Sequence, residues 1–185
     1  MVIVIIIVVL LLLAGLIYVL IRNSLVSLNQ RVGEAWSGID VQLKRRHDLI
    51  PNLVETVKGY AAHERSTLDS VTEARAKAMA ASGPAERSRA ESSLTASLGG
   101  LRAIAEQYPA LRASDNFMAL QAQLTEIEDE IQAARRIYNS DVQLYNARIQ
   151  TFPSSIVAGL GRFDEREFFE IEDPAERAVP AVSFA

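Results

Sequence analysis

Two histidines, a run of three basic residues and two heptad-spaced Tyr-Asn pairs are the side chains of this chain that could do chemistry. His47 and His63 stand about four turns apart on a helical pattern. No Glu-x-x-His accompanies them, so the ligand set of a di-iron bundle is missing. No HExxH, P-loop or GxGxxG occurs. With no cysteine, a nucleophile would have to be Ser, Thr or a carboxylate, and no nucleophile elbow frames one. The expectation is a protein with no catalytic residues, no cofactor and no metal. A net charge of −4 gives no nucleic-acid footprint.

Lys44, Arg45 and Arg46 project over most of a helical turn, so they cannot share one partner. They form a solvated face, pair with acids such as Glu126, Glu128 and Glu130, or meet anionic lipid headgroups. Pairing within or between bundles is the favoured reading. Asp48 and Pro51 follow in the same segment.

Further along, Glu128 and Arg135 are seven residues apart, as are Tyr138 and Tyr145, and Asn139 and Asn146. A spacing of seven returns a side chain to nearly the same face of a helix. The asparagines are either solvated or form a polar layer that holds one bundle, or several, in register.

The elements that position these residues are helical. Residues 2–21 carry no charge, and at about 1.5 Å per residue such a helix spans the ~30 Å hydrocarbon core of a bilayer. No Lys or Arg precedes the run and no small-residue cleavage site follows it, unlike a signal peptide. No second run of comparable length exists, so the chain is expected to cross once. Arg22 and Arg31 on the far flank favour a cytoplasmic soluble domain.

Beyond the anchor, Leu25, Leu28, Val32, Ala35, Ile39, Leu43, Ile50, Val54, Val57, Ala61, Leu68, Val71 and Ala78 recur mostly at spacings of three and four. That predicts one apolar stripe on a long helix, with a kink or short break at Pro51. The turn at residues 81–86 starts a second helix over about 85–107. Tyr108-Pro109 ends it. A third helix begins near Ser114 or Asn116 and stops at Phe152-Pro153. A short amphipathic piece over 155–160 follows.

The expected fold is all-α: a transmembrane helix at 1–22, then an elongated antiparallel bundle of three long helices over 23–160. It becomes four-helix-like if the first is broken at Pro51. An acidic, Pro-containing tail over 161–185 is expected to be loosely ordered, except where Phe163, Phe168 and Phe169 dock. From Asp164 onward, seven Asp and Glu face two Arg.

The run from Ala35 to Val54, AWSGIDVQLKRRHDLIPNLV, resembles the LemA family. So do Gly59-Tyr60-Ala61-Ala62-His63-Glu64, Ala74-Arg75-Ala76 and Glu106-Gln107-Tyr108-Pro109-Ala110-Leu111. Leu120-Gln121, Glu128, Ala134-Arg135, Tyr138-Asn139, Tyr145-Asn146 and Phe152-Pro153 fit the same pattern. The likeness covers nearly the whole chain. It implies a bacterial cell-membrane protein with a helical-bundle domain and no established catalytic activity. Magnetosome-associated relatives hint at membrane organisation. Glu106, Tyr108 and Pro109 join the residues above as structural or interaction candidates. The expected partners are the lipid bilayer, further copies of the chain in a homo-oligomer, and a membrane-protein partner. The expected function is a self-associating scaffold, with an adaptor for a single partner as the alternative.

Overall fold

A computed structural model describes residues 1–170. Among them are six helices and no strand: α1 Val2–Tyr60, α2 Arg65–Ala80, α3 Gly83–Gln107, α4 Pro109–Arg112, α5 Asp115–Gln150 and α6 Ser154–Gly161. The fold is all-α. The described residues form two compact units. The first comprises residues 1–38 and 136–167, the second residues 39–135 and 168–170.

In the first unit, α1 is exposed along its apolar run, and burial begins at Ile21. Leu25 and Val32 of α1, Val142, Tyr145 and Ile149 of α5, and Val157 and Ala158 of α6 are all buried in this unit. The apolar residues of α1 and α5 recur at helical spacing, so each helix puts one stripe inward.

In the second unit, the core runs through Ile50, Leu53 and Val57 of α1, Leu68 and Val71 of α2, Leu94, Leu98 and Leu101 of α3, and Phe117 and Leu124 of α5. Gly100 lets α3 approach α2 closely. A Cβ there would stand 2.9 Å from Thr67 Cγ2. Gly83, which opens α3, has φ +75°, a conformation that costs glycine nothing because it has no Cβ.

The break predicted at Pro51 is not where the helix stops. α1 continues through Pro51 to Tyr60. The interruption falls at residues 61–64, after Gly59, whose missing side chain makes it a poor helix former. A proline removes one N–H and with it the hydrogen bond to the carbonyl four residues back. Here that carbonyl belongs to His47, and Arg75 Nε of α2 donates to it at 2.7 Å. A side chain replaces the missing donor, so the helix has no unsatisfied carbonyl to open around.

Of the expected docking points in the tail, Phe169 is the one that is fully buried. Residues 162–170 are non-helical but packed. Phe169 is fully buried in the second unit, where Ser88 Oγ donates to the Glu170 carbonyl. Phe163 is half-buried and Phe168 exposed. The remainder of the tail lies outside the described residues.

Candidate functional site

The second unit holds a buried charge cluster. Arg46 and Glu91 are both fully buried. Arg46 Nη1 donates to both carboxylate oxygens of Glu128, at 2.9 and 3.1 Å. Its Nη2 donates to Thr95 Oγ1 at 2.7 Å and to the Glu91 carbonyl at 3.3 Å. The same nitrogen stands 3.6 Å from Glu91 Oε2, while Glu91 Oε1 meets His47 Nε2 at 2.7 Å. Two carboxylates thus surround one guanidinium and one imidazole. Arg46 Nε and Glu91 Oε2 are buried without a hydrogen-bond partner among the described residues. A planar guanidinium suits such a site, because its fork can bond several acceptors at once.

The other residues of the basic run are exposed. Lys44 Nζ pairs with Asp48 at 2.5 Å. That hydrogen bond is the first cause of the Asp48 carboxyl titrating below its ordinary range. Arg45 Nη1 accompanies Glu130 at 3.7 Å and donates to Gln42 Oε1 at 3.0 Å, and Gln42 Nε2 donates to Glu130 at 2.7 Å. A cavity of about 310 Å³ opens beside this helix face, lined by Asp40, Lys44, His47, Asp48 and Arg87 among others. Arg87 donates to Asp40 and to the Ala81 carbonyl. Its charges are matched in pairs, and its one imidazole is engaged with Glu91.

The first unit holds a cradle for an extended strap. Tyr138 OH donates to the Glu167 carbonyl at 2.8 Å, and Tyr145 OH to the Asp164 carbonyl at 3.0 Å. Asn146 grips the backbone of Arg166 on both sides. Its Nδ2 donates to the carbonyl and its Oδ1 accepts from the amide, both at 2.9 Å. The Arg166 guanidinium donates to Asn29 Oδ1 from Nε and Nη2, at 3.0 and 2.8 Å. Trp36 packs on Tyr138 with ring centroids 5.3 Å apart, and Arg31 pairs with Asp141 at 3.2 Å.

Heptad spacing therefore places three of the four Tyr-Asn side chains along one strap. The hydrogen bonds of these three run to backbone within the chain and not to a polar layer between helices. An extended segment without sheet partners has open N–H and C=O groups, and side-chain amides and phenols satisfy them. Burial raises the phenols of Tyr138 and Tyr145 above their ordinary value, with Arg166 pulling each back and an adjacent acid, Glu167 or Asp164, adding to the rise.

Of the other candidates, Asn139 and Arg135 are half-buried on α5. Glu106 is exposed at the end of α3, and Pro109 opens α4. Tyr108 is half-buried, with its hydroxyl 3.4 Å from Glu64 Oε1. Sequence reasoning missed Glu91, Thr95, Asn29 and the role of Arg75. Glu91 had a signal. It lies three before Leu94 and seven before Leu98, where the stripe of α3 requires an apolar residue. Among the described residues, no group of three or more His, Cys, Asp or Glu is arranged to hold a metal ion.

Comparison with known proteins gives consistent matches. A family model described as LemA family matches residues 35–184. Magnetosome protein MamQ 2 of Paramagnetospirillum magneticum is 27% identical over 179 residues, covering 83% of this chain and 65% of the relative. Protein LemA of Metamycoplasma hominis is 30% identical over 146 residues, covering 77% of this chain and 65% of the relative. Magnetosome protein MamQ of Magnetospirillum gryphiswaldense is 26% identical over 179 residues. The chain thus spans 65% of the length of each of these relatives.

Proposed function

The chain belongs to the LemA family, and from that membership we propose that it is a membrane-anchored helical scaffold without catalytic activity, which self-associates to organise a membrane or its proteins. The observation that carries this reading is α1. Its exposed apolar run continues without a break into the buried stripe that builds the soluble helices. An anchor continuous with the packed helix is more than a flexible tether, because the helix leaves the bilayer in a defined direction.

Two further observations support it. The polar residues singled out above bond mainly to one another or to backbone, which is how a framework uses them. Ile137 and Leu144 of α5 are exposed and seven residues apart, so they share one face that a second copy can cover. The basic flank of Arg22 and Arg31 favours a cytoplasmic side for the soluble part. Relatives named as magnetosome proteins favour membrane organisation as the role.

The test is the assembly state of the full chain in native membrane extract and in detergent, by light scattering. Oligomers weakened by Ile137→Glu and Leu144→Glu are expected. A monomer at micromolar concentration in both media sinks the scaffold reading. The adaptor alternative predicts a partner in pull-downs that is lost on deleting residues 171–185. The deletion must spare residues 162–170, because they pack on their own units.

A further inference from the structure

We propose that α6 is a second membrane contact: its outer face, Ile156 and Leu160, together with Phe152 of the turn before it, lies in the interface of the leaflet from which α1 emerges. The inference rests on the reading of residues 2–21 as a membrane span. It adds a site at which the soluble part itself touches lipid.

The first argument is position. α1 and α5 of the first unit run antiparallel, fixed by Arg31 against Asp141 and Trp36 against Tyr138. Both rise about 1.5 Å per residue. Gln150, nine residues past Asp141, is therefore about level with Arg22. The turn after it is level with the end of the apolar run. Burial on α1 agrees, since it begins at Ile21 and Val2 to Leu20 are all exposed.

The second argument is topology. α5 arrives at this level, and the strap leaves it in the opposite direction, with Asp164 at Tyr145 and Glu167 at Tyr138. The turn at 151–153 and α6 are all the chain between them, so together they cap this end of the unit. Val157 and Ala158 are 5% and 3% exposed and form its inner side. Ile156 and Leu160, four residues apart, lie on the other side and are 57% and 71% exposed, and Phe152 in the turn before α6 is 76% exposed.

The third argument is composition. No charged residue occurs between Arg148 and Arg162. A helix end that leaves three large apolar side chains in water is unfavourable, and the same end at a bilayer surface is stabilised by their burial. Arg22, Arg148 and Arg162 are exposed around the patch, at the level where long basic side chains reach headgroups. Tyr18 of α1 is partly exposed within the same zone, where aromatic rings favour the interface.

The absence of cysteine allows a direct test. The full chain is reconstituted in phosphatidylcholine and phosphatidylglycerol vesicles, with a nitroxide at a single introduced cysteine: Leu11→Cys, Ser37→Cys, Ile156→Cys or Leu160→Cys. Ser37 is exposed on α1 and serves as the aqueous reference. Collision with oxygen, which enters lipid, is compared with collision with a water-soluble nickel chelate. Sites 156 and 160 are expected to favour oxygen several-fold more than site 37, and site 11 more strongly still. If site 11 is deep while 156 and 160 match site 37, α6 lies in water and the proposal fails, though the anchor stands. If 156 and 160 exclude both reagents, protein covers the face, such as a second copy, and the proposal also fails. If site 11 is itself open to the chelate, the anchor reading is lost.

Discussion

Arg75 Nε donates at 2.7 Å to the His47 carbonyl, the acceptor that Pro51 leaves without its helical donor. The three residues form one unit: a proline in mid-helix, the carbonyl it frees, and a side chain from the next helix that takes its place. The bond also ties α2 to α1 within their unit.

Arg75→Met should therefore leave a buried carbonyl unpaired and cost about 1–3 kcal/mol. In a Pro51→Ala background the alanine N–H can bond the His47 carbonyl directly, so the same change should cost less. Urea denaturation followed by circular dichroism measures the coupling. Strict additivity of the two changes would show that Arg75 acts independently of Pro51.

Arg46 and Glu91 answer each other inside a core that water does not reach. Arg46→Met keeps an apolar stem but leaves the Glu91 carboxylate without its guanidinium. The expected loss is about 3–5 kcal/mol, as for a buried pair broken at one partner. Arg46→Met together with Glu91→Met removes both charges and should recover most of that loss. If the double variant is no more stable than the single one, the guanidinium serves mainly Glu128 and Thr95.

Asn146 holds Arg166 by two backbone hydrogen bonds. Asn146→Ala should release the strap while α1 and α5 remain helical. Amide exchange at Arg166 should rise roughly tenfold or more, from the loss of bonds worth about 0.5–1.5 kcal/mol each. Exchange of the α5 core amides should not change. Equal acceleration along α5 would mean that Asn146 supports the helix pair and not the strap alone.

Alkaline pH should open the same cradle. The folded-state pKa values of Tyr138 and Tyr145 are raised, with burial the first cause. The unfolded chain ionises its phenols first, near pH 10. Their contribution to stability is complete below that pH and is lost as pH climbs from there through the raised folded values. Tyr138→Phe with Tyr145→Phe should flatten this alkaline limb of the stability profile. A limb of unchanged steepness would assign it to other groups.

Much of the fold was legible because helix periodicity is a local property. Leu25, Val32, Ile39, Leu43, Ile50 and Val57 are all buried, as their spacing requires. The charge-free run at 2–21 marks a span on length and composition alone. Even the charge cluster left a trace: the stripe skips from Leu43 to Ile50, and Arg46 and His47 occupy the turn between.

Partners were not legible, because they are set by which helix lies opposite. The sequence pairs Pro51 with a break, and only the arrival of Arg75 from α2 explains why α1 continues. The heptad spacing of Tyr138, Tyr145 and Asn146 put them on one face, which is a fact of the helix. What that face holds is a fact of the tertiary structure, since the backbone they bond lies 19 to 29 residues further along the chain. The sequence by itself determined the anchor, the helices and their buried sides, because each depends on residues within one or two turns. Only the tertiary structure decided that Glu91 meets Arg46, that Asn146 binds the strap, and that one side of α6 is buried while its apolar other side stays exposed. Each of those depends on segments brought together by packing across long stretches of chain.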